Sequence, residues 1–114
     1  MRIIGLLMLL LAAAPIHADD TTTGFMDGNF VWRTCNDARR QQLCVGIVMG
    51  LADGLGYSPN GLNWKCVPEG VTTRQFRVVL ERYLRVNRAV RDYSAAALAY
   101  VAFTEAWPCS AEGL

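Results

Sequence analysis

The sequence predicts an all-α domain, a small bundle of about four helices joined by short loops and stapled by disulfides. Two observations predict this class. Apolar residues recur at helical spacing, with helix start signals ahead of them. Four cysteines occur in a chain of 114 residues, and a core of that size is marginal without cross-links.

The chain begins with the pattern of a secretory signal peptide over residues 1–18. Arg2 is followed by an apolar run, and Ala18 precedes a change to polar composition. The run is shorter than an ordinary membrane span, so we expect cleavage and no membrane anchor. Polar, glycine-bearing residues 19–29 predict a flexible N-terminal segment, which leaves residues 30–114 for the helical domain.

The first two helical segments meet near residue 36. An apolar cluster at residues 30–32 predicts a helix or turn that reaches Cys35, and Asn36 or Asp37 can cap a new helix start. The next segment is nearly apolar from residue 43 to residue 52, so we expect it to be the central helix. The residues that keep helical spacing within it are Leu43, Ile47, Val48 and Leu51.

Three glycines of this central segment share one helix ridge. Gly46, Gly50 and Gly54 recur every fourth residue. Each costs about 1 kcal/mol relative to alanine in a helix interior, so close packing is the expected compensation. The favoured interpretation is a tight core within the chain, and the alternative is a homodimer through this helix face. Asp53, near the last turn, is expected to cap or hydrogen-bond the following loop, and the less favoured alternative is a direct contact with a partner.

Residues 56–66 form the longest irregular segment. Serine, proline, asparagine and glycine at residues 58–61 are typical of a turn. Tyr57, Leu62 and Trp64 place large side chains in or beside this loop. Such residues are either lids over the core or anchors for a partner, and the sequence does not choose between them.

The third helix has the clearest start signal in the chain. Thr72 can act as the N-cap, and Gln75 can complete a capping box. Val71 and Phe76 can pack together as a hydrophobic staple. The apolar stripe that follows consists of Phe76, Val79, Leu80, Tyr83 and Leu84.

Charged residues occupy the opposite face of the third helix and the connection after it. Glu81 lies one turn from Arg77 and from Arg85, and such pairs add only about 0.2 to 0.5 kcal/mol each. We therefore expect a solvated surface there and over residues 87–92. Ser94 can cap a last helix, which Pro108 and Cys109 then end; its inner face is marked by Leu98, Val101 and Ala102.

Four cysteines, Cys35, Cys44, Cys66 and Cys109, follow the predicted cleavage site, which favours two disulfides in an oxidising compartment. A zinc site would need close pairs such as Cys-x-x-Cys, and the sequence has none. If Cys35 and Cys44 share one continuous helix, they lie too far apart to bond. The favoured pairing is then Cys44 with Cys66 and Cys35 with Cys109, with the crossed pairing as the alternative. A chain break near Asn36 would allow Cys35 to bond to Cys44.

Composition argues against catalysis and against nucleic acid. His17, the only histidine, lies in the predicted signal peptide, so the mature chain lacks the commonest general base and metal ligand. Histidine-dependent activation of cysteine or serine nucleophiles is then unavailable. Acidic and basic residues balance once Arg2 is removed, which gives no electrostatic reason to bind nucleic acid. The expected class is a binding protein, not an enzyme, without cofactor or metal.

Three motifs together resemble the Rap/Tai family of immunity proteins: CVGIVMGLADG, CVPEGVTTRQFRVVLERYL and ALAYVAFTEAWPC. The matching positions are Cys44, Gly46, Asp53, Cys66, Pro68, Gly70, Val71, Thr72, Gln75, Tyr83, Leu84, Trp107, Pro108 and Cys109. The resemblance implies a small helical periplasmic protein of Gram-negative bacteria, often a dimer. It also implies protection against type VI secretion amidases, papain-like enzymes that cut peptidoglycan peptides, by docking on the amidase and blocking its cleft.

The residues expected to contact the amidase lie in two places. The loop supplies Tyr57, Asn60, Trp64 and Lys65, and the basic connection supplies a second patch of Arg88 and Arg91. Two other functions stay open at this stage: a periplasmic stress chaperone, and an envelope housekeeping module with the same fold. A chaperone would expose apolar surface or unfold as the pH falls, whereas a neighbouring amidase gene would favour an immunity protein.

Overall fold

The computed structural model describes residues 24–110 and confirms the predicted all-α class. Its four helices are α1 (Gly28–Cys35), α2 (Gln41–Tyr57), α3 (Thr73–Val86) and α4 (Ala95–Ala106). Short 3-10 turns at Trp64–Cys66 and Arg88–Val90 lie within the two longer connections. The predicted signal peptide, residues 19–23 and residues 111–114 lie outside the described residues. In the part of the chain that is described, no helix is long and apolar enough to cross a bilayer.

The helical domain begins earlier than the predicted residue 30. The carboxylate of Asp27 caps α1 by accepting a hydrogen bond from the Phe30 backbone N–H at 2.8 Å. Gly28 is buried so closely against Leu98 and the backbone of Arg91 that a Cβ atom would overlap both. The last residues of the predicted flexible segment are therefore packed against α4 and the connection that precedes it.

All four helices contribute to one hydrophobic core, and both α2 and α3 pack against every other helix. The rings of Phe76 and Phe103 meet edge to face with their centroids 4.8 Å apart. Trp107 packs on the same Phe76 ring at 4.7 Å. The largest fully buried apolar side chains are Phe103, Leu80, Leu84, Val31 and Val48.

The start signals of α3 and α4 operate as the sequence predicts. The Thr72 hydroxyl accepts a hydrogen bond from the Gln75 backbone N–H at 3.3 Å, and Gln75 Oε1 accepts one from the Thr72 N–H at 2.7 Å. The Ser94 hydroxyl accepts from the Ala97 N–H at 3.1 Å. Both helices therefore begin at the predicted residue, and α3 buries Phe76, Leu80 and Leu84.

The disulfide pairing differs from the favoured prediction. Cys35 bonds to Cys44 and Cys66 bonds to Cys109, so the pairing of Cys44 with Cys66 and of Cys35 with Cys109 is wrong. The reason is that α1 ends at Cys35 and α2 begins only at Gln41, so the first two cysteines do not share a helix. The intervening turn reverses the chain and brings their Cα atoms to 4.9 Å, within the reach of a disulfide.

The packing of α2 also differs from the favoured prediction. Gly46, Gly50 and Gly54 are exposed, and a Cβ atom on any of them would meet nothing within 4 Å. Leu43, which keeps helical spacing with the buried Ile47, Val48 and Leu51, is exposed as well. At about 100° per residue, Gly46 falls opposite the core-facing residues of the helix, and Leu43, Gly50 and Gly54 lie along one flank. The buried residues of α2 are Cys44, Ile47, Val48, Leu51 and Ala52.

Candidate partner-binding surface

The connection between α2 and α3 presents two large aromatic side chains to solvent. Tyr57, the last residue of α2, is 92% exposed, and Trp64 is 44% exposed. Asn60 and Lys65 of the same connection are exposed too. All four loop residues predicted to contact a partner are therefore accessible to one.

This loop is tied to the rest of the domain. Leu62 is buried, and its N–H donates a hydrogen bond to the Leu55 carbonyl at 2.9 Å. Gly61 lies against that same carbonyl, where no side chain would fit. At the end of the 3-10 turn, Cys66 is bonded to Cys109, just beyond α4. A loop held this way loses little conformational entropy when a partner binds.

Trp64 combines the two roles that the sequence left open. Its ring packs on Phe76 with the centroids 5.3 Å apart, so part of the indole covers the core. Its edge lies against Gly56, where a Cβ atom would overlap the ring. The remaining surface of the ring is open to solvent. Leu62 thus covers the core, and Tyr57 is exposed enough to anchor a partner. Trp64 covers part of the core and also exposes part of its ring to a partner.

A cleft of about 110 Å³ lies beside Trp64, between α2 and the start of α3. Its buried lining residues are apolar: Val48, Ala52 and Phe76. Met49 and Asp53 line its exposed part together with Trp64. The cleft therefore has an apolar interior, an aromatic wall and one carboxylate.

Asp53 does not cap the loop as the sequence suggested. Its side chain is exposed, and the ion pairs found among residues 24–110 join other groups, Arg40 with Asp37 and Arg77 with Glu81. Within the same residues its carboxylate accepts no hydrogen bond from α2 or from the loop. Asp53 is thus available to a group from outside the domain.

The two arginines of the second predicted patch differ in exposure. Arg88 is exposed on the connection between α3 and α4. Arg91 is half-buried: its Cζ atom lies 4.0 Å from the centroid of the Trp32 ring, and its Nε donates to the Leu84 carbonyl at 2.7 Å. These contacts tie α1 to the end of α3, so the position of Arg91 does not support its predicted role in partner contact.

An exposed apolar face on α2 and α3 was missed by the sequence reasoning. Leu43, Val45 and Met49 on α2 and Val78 on α3 are all exposed, around the glycine ridge described above. The sequence did contain a signal for this face, because α2 is apolar on all sides. Such a helix is expected to be buried on all sides. Among residues 24–110, no other segment covers one side of α2.

One cluster has the residue types of a metal site without its chemistry. The sulfur atoms of Cys35 and Cys44 and a carboxylate oxygen of Glu81 lie within 4.8 Å of one another. Metal binding by cysteine requires thiolates, and both sulfurs are bonded to each other. No metal is assigned to this cluster.

A family of known proteins matches most of the chain. The family described as Rap1a immunity proteins matches residues 27–109, from the residue that caps α1 to the last cysteine. Searches of curated proteins and of solved structures gave no match. The chain therefore belongs to the family of Rap1a immunity proteins.

Proposed function

We propose that this chain is a periplasmic immunity protein that binds and blocks a peptidoglycan-cleaving amidase delivered by type VI secretion. Membership of an immunity family implies a non-enzymatic protein that binds a secreted effector. The choice of a papain-like amidase rests on the resemblance of the three motifs. The periplasmic location rests on the signal-peptide pattern and on the two disulfides, which persist in oxidising compartments.

The observation that carries the proposal is the exposed aromatic pair on a fixed loop. Tyrosine and tryptophan are enriched among the residues that dominate binding energy at protein interfaces. Tyr57 and Trp64 flank a segment that is held by the buried Leu62 and by the disulfide of Cys66. A rigid loop with exposed aromatic side chains suits insertion into an enzyme cleft.

The test is calorimetric titration of residues 19–114 against papain-like periplasmic amidases, first one encoded beside this gene. We expect nanomolar affinity for one of them and loss of its peptidoglycan hydrolysis. Tyr57→Ala and Trp64→Ala should each weaken binding about 30-fold, as at an interface hot spot. Tyr100→Ala, an exposed aromatic residue on α4, is the matched control and should change nothing. Failure to bind any candidate would count against the proposal.

Homodimerisation through the glycine face of α2 stays a prediction. The face is accessible, since Gly46, Gly50 and Gly54 have open space around them and Leu43 is exposed beside them. Sedimentation equilibrium of the mature protein tests it. A dimer that Gly50→Leu dissociates would support the prediction, whereas a wild-type monomer at all accessible concentrations would contradict it.

A further inference from the structure

We propose that the cleft between Asp53 and Trp64 receives a basic side chain, arginine by preference, from the protein that this chain binds. The inference rests on the proposed function, because it specifies the chemistry of part of the partner's surface. The cleft and the loop share Trp64, so a partner that contacts Trp64 also reaches the edge of the cleft.

The size and lining of the cleft suit one side chain. Its volume of about 110 Å³ is well below the roughly 300 to 1,000 Å³ of small-molecule sites. Val48, Ala52 and Phe76 give it an apolar interior against which the methylene stem of a long side chain can lie. The charged end of such a side chain would then reach the exposed part of the cleft.

Asp53 determines the sign of the charge that this cleft accepts. Its carboxylate is exposed at the cleft, and no cation of residues 24–110 forms an ion pair with it. A partner that covered it with an apolar or acidic group would desolvate an unpaired charge, which is unfavourable. A cationic group instead gains a charge-assisted hydrogen bond.

The indole of Trp64 favours the same kind of group. Cations are attracted to the face of an indole ring within about 6 Å of its centroid. This chain already contains such a pair, since the Cζ atom of Arg91 lies 4.0 Å from the Trp32 ring centroid. A guanidinium is planar and can both pair with a carboxylate and stack on an aromatic ring, which an ammonium cannot do equally well. This is the reason for preferring arginine.

Two glycines leave the backbone of α2 bare beside Asp53. Gly50 lies one turn before Asp53 on α2, and Gly54 follows it directly. A Cβ atom at either position would meet nothing within 4 Å, and both glycines lie on the flank of α2 that faces away from the cleft, so that flank is bare beside the carboxylate. The backbone of a partner can therefore approach α2 closely on that flank of Asp53.

The first experiment uses the mature protein and small probes. N-acetyl-arginine amide and its neutral counterpart N-acetyl-citrulline amide are titrated while the indole N–H signals are followed by NMR, with Trp64→Phe to assign the signal. We expect saturation of the Trp64 signal at millimolar arginine probe, and binding of the citrulline probe at least about tenfold weaker. Asp53→Asn should abolish this difference. No saturable response to arginine, or an equal response to both probes, would overturn the inference.

The second experiment separates this inference from the proposed function. For an amidase that the wild-type chain binds, Asp53→Asn should weaken binding at least about tenfold. Glu69→Gln removes an exposed carboxylate outside the cleft and should leave binding unchanged. Unchanged binding by Asp53→Asn overturns the inference and leaves the function standing, whereas a wild-type chain that binds no amidase overturns the function. If Asp53→Asn alters only self-association, the occupant is a second copy and the inference is wrong.

Discussion

Replacing Arg77 with methionine should loosen the attachment of α3 to the corner between α1 and α2. The Nη2 group of Arg77 donates to the Cys35 carbonyl at 3.1 Å and to the side-chain oxygen of Gln41. It also lies 3.4 Å from the carboxylate of Glu81, one turn along α3. One guanidinium therefore joins the end of α1, the start of α2 and the middle of α3.

The expected loss follows from the two bonds that cross between helices. Hydrogen bonds from a charged donor contribute about 1.5 to 3 kcal/mol each. The side chain of Arg77 is 20% exposed, so water weakens these bonds and the lower end of that range applies. In the Arg77→Met variant, the Cys35 carbonyl still accepts a hydrogen bond from Gln41 Nε2 at 3.2 Å, so the loss of folding stability is smaller. We expect Arg77→Met to lower the free energy of unfolding by about 2 kcal/mol.

Urea denaturation followed by circular dichroism measures this loss. Glu81→Gln is the matched control, because it removes only the pair within α3 and should cost about 0.3 to 0.5 kcal/mol. Arg77→Lys keeps the charge but lacks the planar fork that reaches several acceptors, so it should resemble the methionine variant. The reasoning is refuted if Arg77→Met costs no more than Glu81→Gln, or if lysine restores wild-type stability.

Three further changes test the packing by the same denaturation. Thr72→Ala removes the capping box and should cost about 1 kcal/mol; no loss would mean that the cap contributes nothing. Gly50→Ala should add up to about 1 kcal/mol because its Cβ meets nothing, whereas Gly56→Ala should destabilise because its Cβ overlaps an indole ring. Effects of the same sign would contradict this placement of the two glycines. Joint replacement of Cys66 and Cys109 by alanine should cost about 4 kcal/mol on the chain-entropy model, given their separation of 43 residues. A loss below about 1 kcal/mol would show that the bridge is not a major constraint on the unfolded chain.

The starts of α3 and α4 and the inner face of α3 were predictable because they depend on residues a few positions apart. The predicted start of α2 behind Asn36 or Asp37 is wrong, since α2 begins at Gln41 and no side chain caps it. The caps at Thr72 and Ser94 involve groups within one turn, and both form as expected. The pair of Arg77 with Glu81 is likewise local and is present at 3.4 Å. The other acceptors of Arg77 lie 36 and 42 residues away, and no spacing rule connects them to it.

The disulfides and the candidate site depended on information that spacing does not contain. The pairing of Cys35 with Cys44 required a chain reversal at residues 36–40, and the sequence placed a helix start there without the direction of the turn. Exposure of the loop aromatics was predictable as one of two alternatives. The cleft at Asp53 was not, because it forms only where α2, the loop and α3 converge.

The two disulfides join the cysteines in the order in which they occur along the chain, first with second and third with fourth. If the chain is exported from its N-terminus, as proposed above, Cys35 and Cys44 emerge before Cys66 and Cys109. Oxidation during translocation therefore yields native bonds successively, and no mispaired intermediate has to be reshuffled by thiol exchange. Under the proposed export, Cys109 emerges after the other three cysteines, so the bond that fastens the segment carrying Trp64 would form second.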